Sequence, residues 1–135
     1  MGSFSNYAEN KILDHAVGKT SWTMPAAMYL ALCTVLPTDA SIGADITEAN
    51  YTGYARKAVA AADFNAASGG SISNANAITF AACTAGSSTI VGWALVDSSS
   101  GAGNIIAWGS MTSKLIDTSN TPPTINAGAL VLTLD

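Results

Sequence analysis

Hydrophobic positions recur at helical spacing in one early segment of this chain. In residues 6–17, NYAENKILDHAV, the residues Ala8, Ile12, Leu13, Ala16 and Val17 fall on a single stripe. Asn6, with Glu9 three residues on, has the form of a capping box at the helix start. Gly18 follows the last apolar residue, where a left-handed backbone ends a helix, and Lys19 suits the negative end of its dipole. The pattern predicts one short helix ending at Gly18.

Beyond Pro25 the period changes. MYLALCT (28–34) alternates large and small residues as a strand does, and YARKAVA (54–60) and AITFAA (77–82) are further strand candidates. Between them lie a long loop, VLPTDASIGADITEAN, and a polar turn region over residues 64–76 around Gly69 and Gly70. STIVGWALVD (88–97) and NIIAWGS (104–110) are the strongest apolar runs, and SSSGAG between them reads as a hairpin loop. SKLID (113–117) is a short strand candidate and TPPT (121–124) a breaker. GALVLTLD (128–135) closes the chain with Leu130, Leu132 and Leu134 on one side.

These turn signals recur at the spacing of a sandwich or barrel. No helix fits between the strands, as a parallel sheet would require. The expected fold is therefore mainly β, an antiparallel β-sandwich or jelly-roll-like barrel with one short N-terminal helix. One domain is expected over residues 1–135, made of an N-terminal arm and helix (1–20) and a β-domain (26–135). Residues 1–5 are mostly small and uncharged, which suits an arm lying along a partner.

Gly18, Lys19 and Thr20 invite a nucleotide-binding reading, because GKT ends a phosphate loop. That loop needs a first glycine five residues before Gly18, a strand ahead of it and a helix beginning at the lysine. Position 13 is Leu13, and here the helix comes first. A helix C-cap is the reading that fits.

Composition narrows the class of partner. Only 10% of the 135 residues are charged and 49% are apolar, with a net charge of −4. Such an uncharged exterior suits contact with other protein. No basic run offers a footprint for nucleic acid or an anionic membrane. No apolar stretch reaches the roughly 20 residues of a membrane-spanning helix, and the N-terminus lacks an apolar signal core. Cys33 and Cys83 lie among apolar residues and read as buried free thiols.

Catalytic constellations are not evident. His15 stands alone as the one histidine, with no nucleophile elbow elsewhere, and reads as a capping or interface residue. One His and two distant Cys are too few for zinc. Asp39, Asp45 and Glu48 share a loop, but without EF-hand spacing they read as a solvated acidic loop. No enzyme, cofactor or metal is expected. Three tryptophans raise a carbohydrate-binding module as an alternative. Trp93 and Trp108 sit in the most apolar runs and read as core, and Trp22 reads as a core lid or interface anchor. The candidate interface residues are Tyr7, Ile12, His15 and Trp22, with the stripe of Ile12, Leu13, Ala16 and Val17 as the helix's contact face.

The order of motifs carries a resemblance. NYAENKILDHAVGKTSWTMP is followed by YLALCT with PTDA, GYARKAV, AASGGSISNANAITF, GWALVDSSSGAGNIIAWGSM and AGALVLTLD. The chain resembles, over nearly its whole length, a family of small virion proteins of tailed bacteriophages, variously described as tail-fibre-like, minor structural or capsid decoration (cement) proteins. The most specific parts are the helix ending in Gly18, the run Gly53, Tyr54, Ala55, Arg56, and residues 66–80. The resemblance implies a virion protein made in the host bacterial cytoplasm. It is expected on the capsid exterior as a cement protein, associating with itself as a homotrimer and with the major capsid protein. A tail, fibre or baseplate component is the alternative. No catalytic residue is implied.

Overall fold

The computed structural model describes residues 2–134. Met1 and Asp135, the outer ends of the expected arm and closing strand, lie outside the described residues. The chain is mainly β with one short N-terminal helix, the class its pattern predicts. In order, the elements are β1 (Gly2–Phe4), α1 (Asn6–Ala16), β2 (Met28–Cys33), β3 (Lys57–Val59), β4 (Ser71–Ser73), β5 (Ile78–Thr79), β6 (Ser88–Val96), β7 (Ile105–Ile116), β8 (Thr124–Ile125) and β9 (Val131–Thr133). A seven-stranded sheet has the order β3-β2-β6-β7-β1-β9-β4, and β5 and β8 form a separate two-stranded ribbon.

The hairpin β6–β7 is the spine. It pairs antiparallel through Trp93 opposite Gly109 and Ala94 opposite Trp108, as its two apolar runs predict. Two irregularities bend it. Residues 111–113 of β7 stand opposite Val91 alone, and Ile106 is bulged out between the Val96–Ile105 and Leu95–Ala107 pairs. A bulge resets the side-chain alternation, so Ile106 and Ala107 both join the larger core. The expected short strand at 113–117 is the far part of β7, whose pairing to residues 88–90 continues past the bend.

Alternation along β2 explains the two faces of the sheet. Leu30 and Leu32 point into the larger core with Trp93, Leu95, Ile106 and Leu132. Ala31 and Cys33 point the other way, into a smaller cluster with Ala94, Val96 and Ile105, backed by half-buried Tyr29, Ile46 and Trp108. The ribbon covers part of the larger face, with Ile78, Phe80 and Ile125 in that core. Cys33 and Cys83 are both free and buried, as expected.

Trp93 is 4% exposed, and its indole lies against two glycines. A Cβ on Gly2 would sit 2.6 Å from the ring and one on Gly109 2.7 Å. Only glycine lets strands β1 and β7 pass this close to the indole.

Several expectations need correction. The supposed arm is a strand over Gly2–Phe4, pairing antiparallel with β7 and, at Gly2, parallel with β9. The sheet is thus antiparallel apart from one short parallel contact, which needs no crossover helix because β1 and β9 come from opposite ends of the chain. The helix is capped by Ser5, not Asn6. The Ser5 side chain accepts the Ala8 N–H at 3.3 Å and donates to the Ile105 carbonyl. Asn6 is the first helical residue, and its N–H donates to the Asp39 carbonyl at 2.9 Å.

The strand expected over residues 54–60 shrinks to Lys57–Val59, because Tyr54 and Arg56 turn inward to polar partners. The polar region 64–76 contains a strand, β4, whose outer side is covered by its own preceding loop through the Phe64–Asn74 and Ser68–Ser71 bridges. The third predicted strand is only Ile78–Thr79 and belongs to the ribbon. In the closing strand Leu130 and Leu132 are buried as expected, but Leu134 is 53% exposed.

Candidate interface at the N-terminal helix

The helix end follows from local hydrogen bonding. The Gly18 N–H donates to the His15 carbonyl at 3.1 Å and the Lys19 N–H to the Asp14 carbonyl at 2.9 Å. These are the two bonds of a Schellman motif. Gly18 has φ +73°, the left-handed conformation such an end requires. The amides of Gly18, Lys19 and Thr20 are all spent on helix carbonyls, so none is left to cradle a phosphate.

The chain then doubles back along the helix. The Trp22 N–H donates to Nδ1 of His15 at 3.1 Å, across the reversal. This holds the segment after the helix beside it, with Trp22 half-buried against the larger core. An open groove of about 270 Å³ results, lined by apolar residues alone. Phe4 from β1, Ile12 from the helix, Trp22 and Met24 after it, and Phe64 form its walls. Buried Leu95, Ile106 and Leu132 lie beneath. A neighbouring apolar depression shares Phe4, Ile72 and Leu132 and reaches Leu134.

The structure brings together two of the four candidate interface residues. Ile12 and Trp22 both line the groove. His15 is exposed and acts on the groove through the Trp22 backbone. Tyr7 instead packs on the larger core, with the Lys11 ammonium 5.8 Å from its ring centroid. Of the expected stripe, only Ala8 is buried, while Leu13 is 63% and Val17 78% exposed. The pair forms an uncovered apolar ridge at the C-terminal end of the helix. Sequence reasoning missed Phe4, Met24 and Phe64, which are far apart along the chain and carry no shared period.

A second polar centre lies at Arg56, whose side chain is 2% exposed. Its guanidinium donates to Glu48 Oε1 from Nη2 at 2.6 Å and from Nε at 3.0 Å. It also reaches the carbonyls of Ser98 at 2.8 Å, Gly101 at 3.1 Å and Gly43 at 3.3 Å. The Tyr54 hydroxyl donates to Glu48 Oε2 at 2.7 Å and accepts the Leu32 N–H at 3.0 Å. Burial, reinforced by the Glu48 carboxylate, holds the Tyr54 hydroxyl protonated far above its ordinary range. Burial likewise pushes the Cys33 thiol up to about 12, with Glu48 raising it and Arg56 opposing. The centre ties β2, the 43–48 loop and the β6–β7 loop together.

The other acidic and aromatic candidates are committed to structure. Asp39 accepts the Trp108 indole N–H at 3.1 Å. Asp45 accepts the Ile42 N–H at 3.2 Å, and Glu48 holds Arg56. These three, which share the acidic loop, therefore point to separate partners. Among the described residues no group of three or more His, Cys, Asp or Glu is placed to hold a metal. Trp93 is core, as expected, and Trp108 is half-buried in the smaller cluster.

A family model described as podophage GP4 fiber I protein gp80 matches residues 3–133. The chain belongs to this family. It is a structural protein of a tailed-phage virion, and the match runs through the helix, the groove and the Arg56 centre alike. No curated protein matches the chain.

Proposed function

We propose that the chain is a structural module of the phage fibre, on the tail side of the virion, and that it performs no catalysis. The observation that carries this reading is the match over residues 3–133 to a family named for a fibre protein. The expectation of a capsid cement protein bound to the major capsid protein yields to its own alternative, because the family name points to fibre and not to shell. In this role the chain associates with copies of itself, as a homotrimer, and with neighbouring tail or fibre proteins. The charge-poor surface supports the reading, since charged residues are depleted at interface cores.

Gold-labelled antibody against this chain, applied to intact virions, tests the location. Label on tails or fibres is the expected result. Label distributed over heads would overturn the fibre reading and restore capsid decoration.

A further inference from the structure

We propose that the groove beside the helix is a self-association site, filled in the assembly by the Leu13 and Val17 ridge of a second copy of this chain. The groove is lined by apolar residues alone, with Met24 half-exposed at its rim, so covering it removes apolar surface from water and is favourable. The groove presents Trp22 and Met24 at its rim and no charged residue in its lining. Its occupant must therefore be apolar and uncharged, and projecting from a surface that can approach without electrostatic penalty.

The chain itself supplies such an occupant. Leu13 and Val17 are one helical turn apart and project together as the uncovered ridge described above. The helix and its end carry Glu9, Asp14, Lys11 and Lys19, two acids against two bases. The whole chain has 9 acidic and 5 basic residues, which leaves 7 acidic and 3 basic elsewhere. The excess negative charge thus lies away from the helix, and the helix is the neutral face on which two copies of an acidic chain can meet. Each copy carries both halves of the contact, ridge and groove, so copies can close a ring or a pair. The proposal rests on the structural-module reading only for the choice of a second copy as occupant.

Sedimentation equilibrium of the purified full chain over a concentration series tests it. The wild type should associate into a closed oligomer. The double variant Leu13→Asp/Val17→Asp should fall to monomer with unchanged circular dichroism and melting of the monomer, because both side chains are exposed. Met24→Asp, on the groove rim, should weaken association by at least tenfold. Leu115→Asp, an exposed apolar residue outside the groove lining, should leave it unchanged. A monomeric wild type, or association that survives the double variant, or loss of association in Leu115→Asp alone, overturns the proposal. Label on heads in the virion experiment would leave these results standing, so the two readings fail separately.

Discussion

Around Arg56 polar groups are buried and closed, whereas around Trp22 apolar groups are gathered and left open. The guanidinium makes five hydrogen bonds, all inside the chain, to one carboxylate and three carbonyls. The groove's lining is entirely apolar, with Met24 52% exposed at its rim. A buried charge must be satisfied within the monomer, since leaving it unpaired costs several kcal/mol. An apolar groove carries no such requirement and can wait for a partner. One region is therefore complete in the single chain, whereas the other leaves apolar surface open to solvent.

The largest break in this contrast comes from β1, which supplies Phe4 to the groove and holds the sheet around it. Gly2–Phe4 lies between β7 and β9, and Ser5 caps the helix. Removing residues 2–5 strips the strand that joins β9 and β4 to the rest of the sheet and uncaps the helix. The shortened chain is expected to lose cooperative unfolding and to aggregate, read by a circular dichroism melt and gel filtration. A soluble chain with wild-type melting would restore the view of residues 1–5 as an arm that lies along a partner.

Arg56→Ala comes next. It leaves Glu48 partly buried without its cation and removes donors from Ser98, Gly101 and Gly43 together. Breaking a buried pair from one side costs about 3–5 kcal/mol, to be measured by urea unfolding. Arg56→Met, of similar length but without charge, should be as costly, because the carbonyls stay unpaired. A loss under about 1 kcal/mol would mean that the centre is not the closed staple its geometry describes.

The same centre sets an alkaline limit. The folded Cys33 thiol titrates near 12 against an ordinary value of 9.0. A group held protonated by folding contributes its full stability below the unfolded value and loses it as pH rises through the folded one. At about 1.36 kcal/mol per pH unit, that gap amounts to roughly 4 kcal/mol lost between pH 9 and 12. Tyr54, shifted in the same direction, adds to the fall. Melting temperature should hold level to about pH 8 and then drop. Cys33→Ala should flatten part of the slope, whereas a slope unchanged by that substitution would remove Cys33 from the account.

How far the sequence foretold these regions depends on whether the cause was local. The β6–β7 hairpin was legible because two dense apolar runs flank a small, glycine-bearing loop. The helix was legible from its stripe, and its end from Gly18. The three residues of β1 were not, since Gly2 and Ser3 give no strand signal, Phe4 alone is too short a run to show a period, and all three are held by the strands on either side. Gly2 makes sense only beside the Trp93 indole, which is 91 positions away. The Arg56 centre was half-visible. The run Gly53, Tyr54, Ala55, Arg56 stood out, but three of the groups Arg56 bonds are backbone carbonyls, which every residue has. Ile12 and Trp22 announced the groove, while its other walls come from elements that meet only in the folded sheet.

The smallest expected effect sharpens the open region. Gly18 holds φ +73° with nothing within 4 Å of where a Cβ would stand. Gly18→Ala therefore meets no clash, and its cost is the strain of a left-handed alanine, about 1 kcal/mol. A fall in melting temperature of several degrees is expected for a domain of this size. The helix end also positions Trp22 through His15, so a frayed last turn should loosen the groove wall and weaken self-association in the same variant. ATP should shift the melting of neither protein, because the amides of Gly18, Lys19 and Thr20 are spent on the carbonyls of His15 and Asp14. A ligand stabilises the state that binds it, so a clear rise with ATP would mean that this end is a phosphate site and not a cap. A variant that melts lower yet associates as tightly as the wild type would instead separate the helix end from the groove and confine the contact to the Leu13 and Val17 ridge.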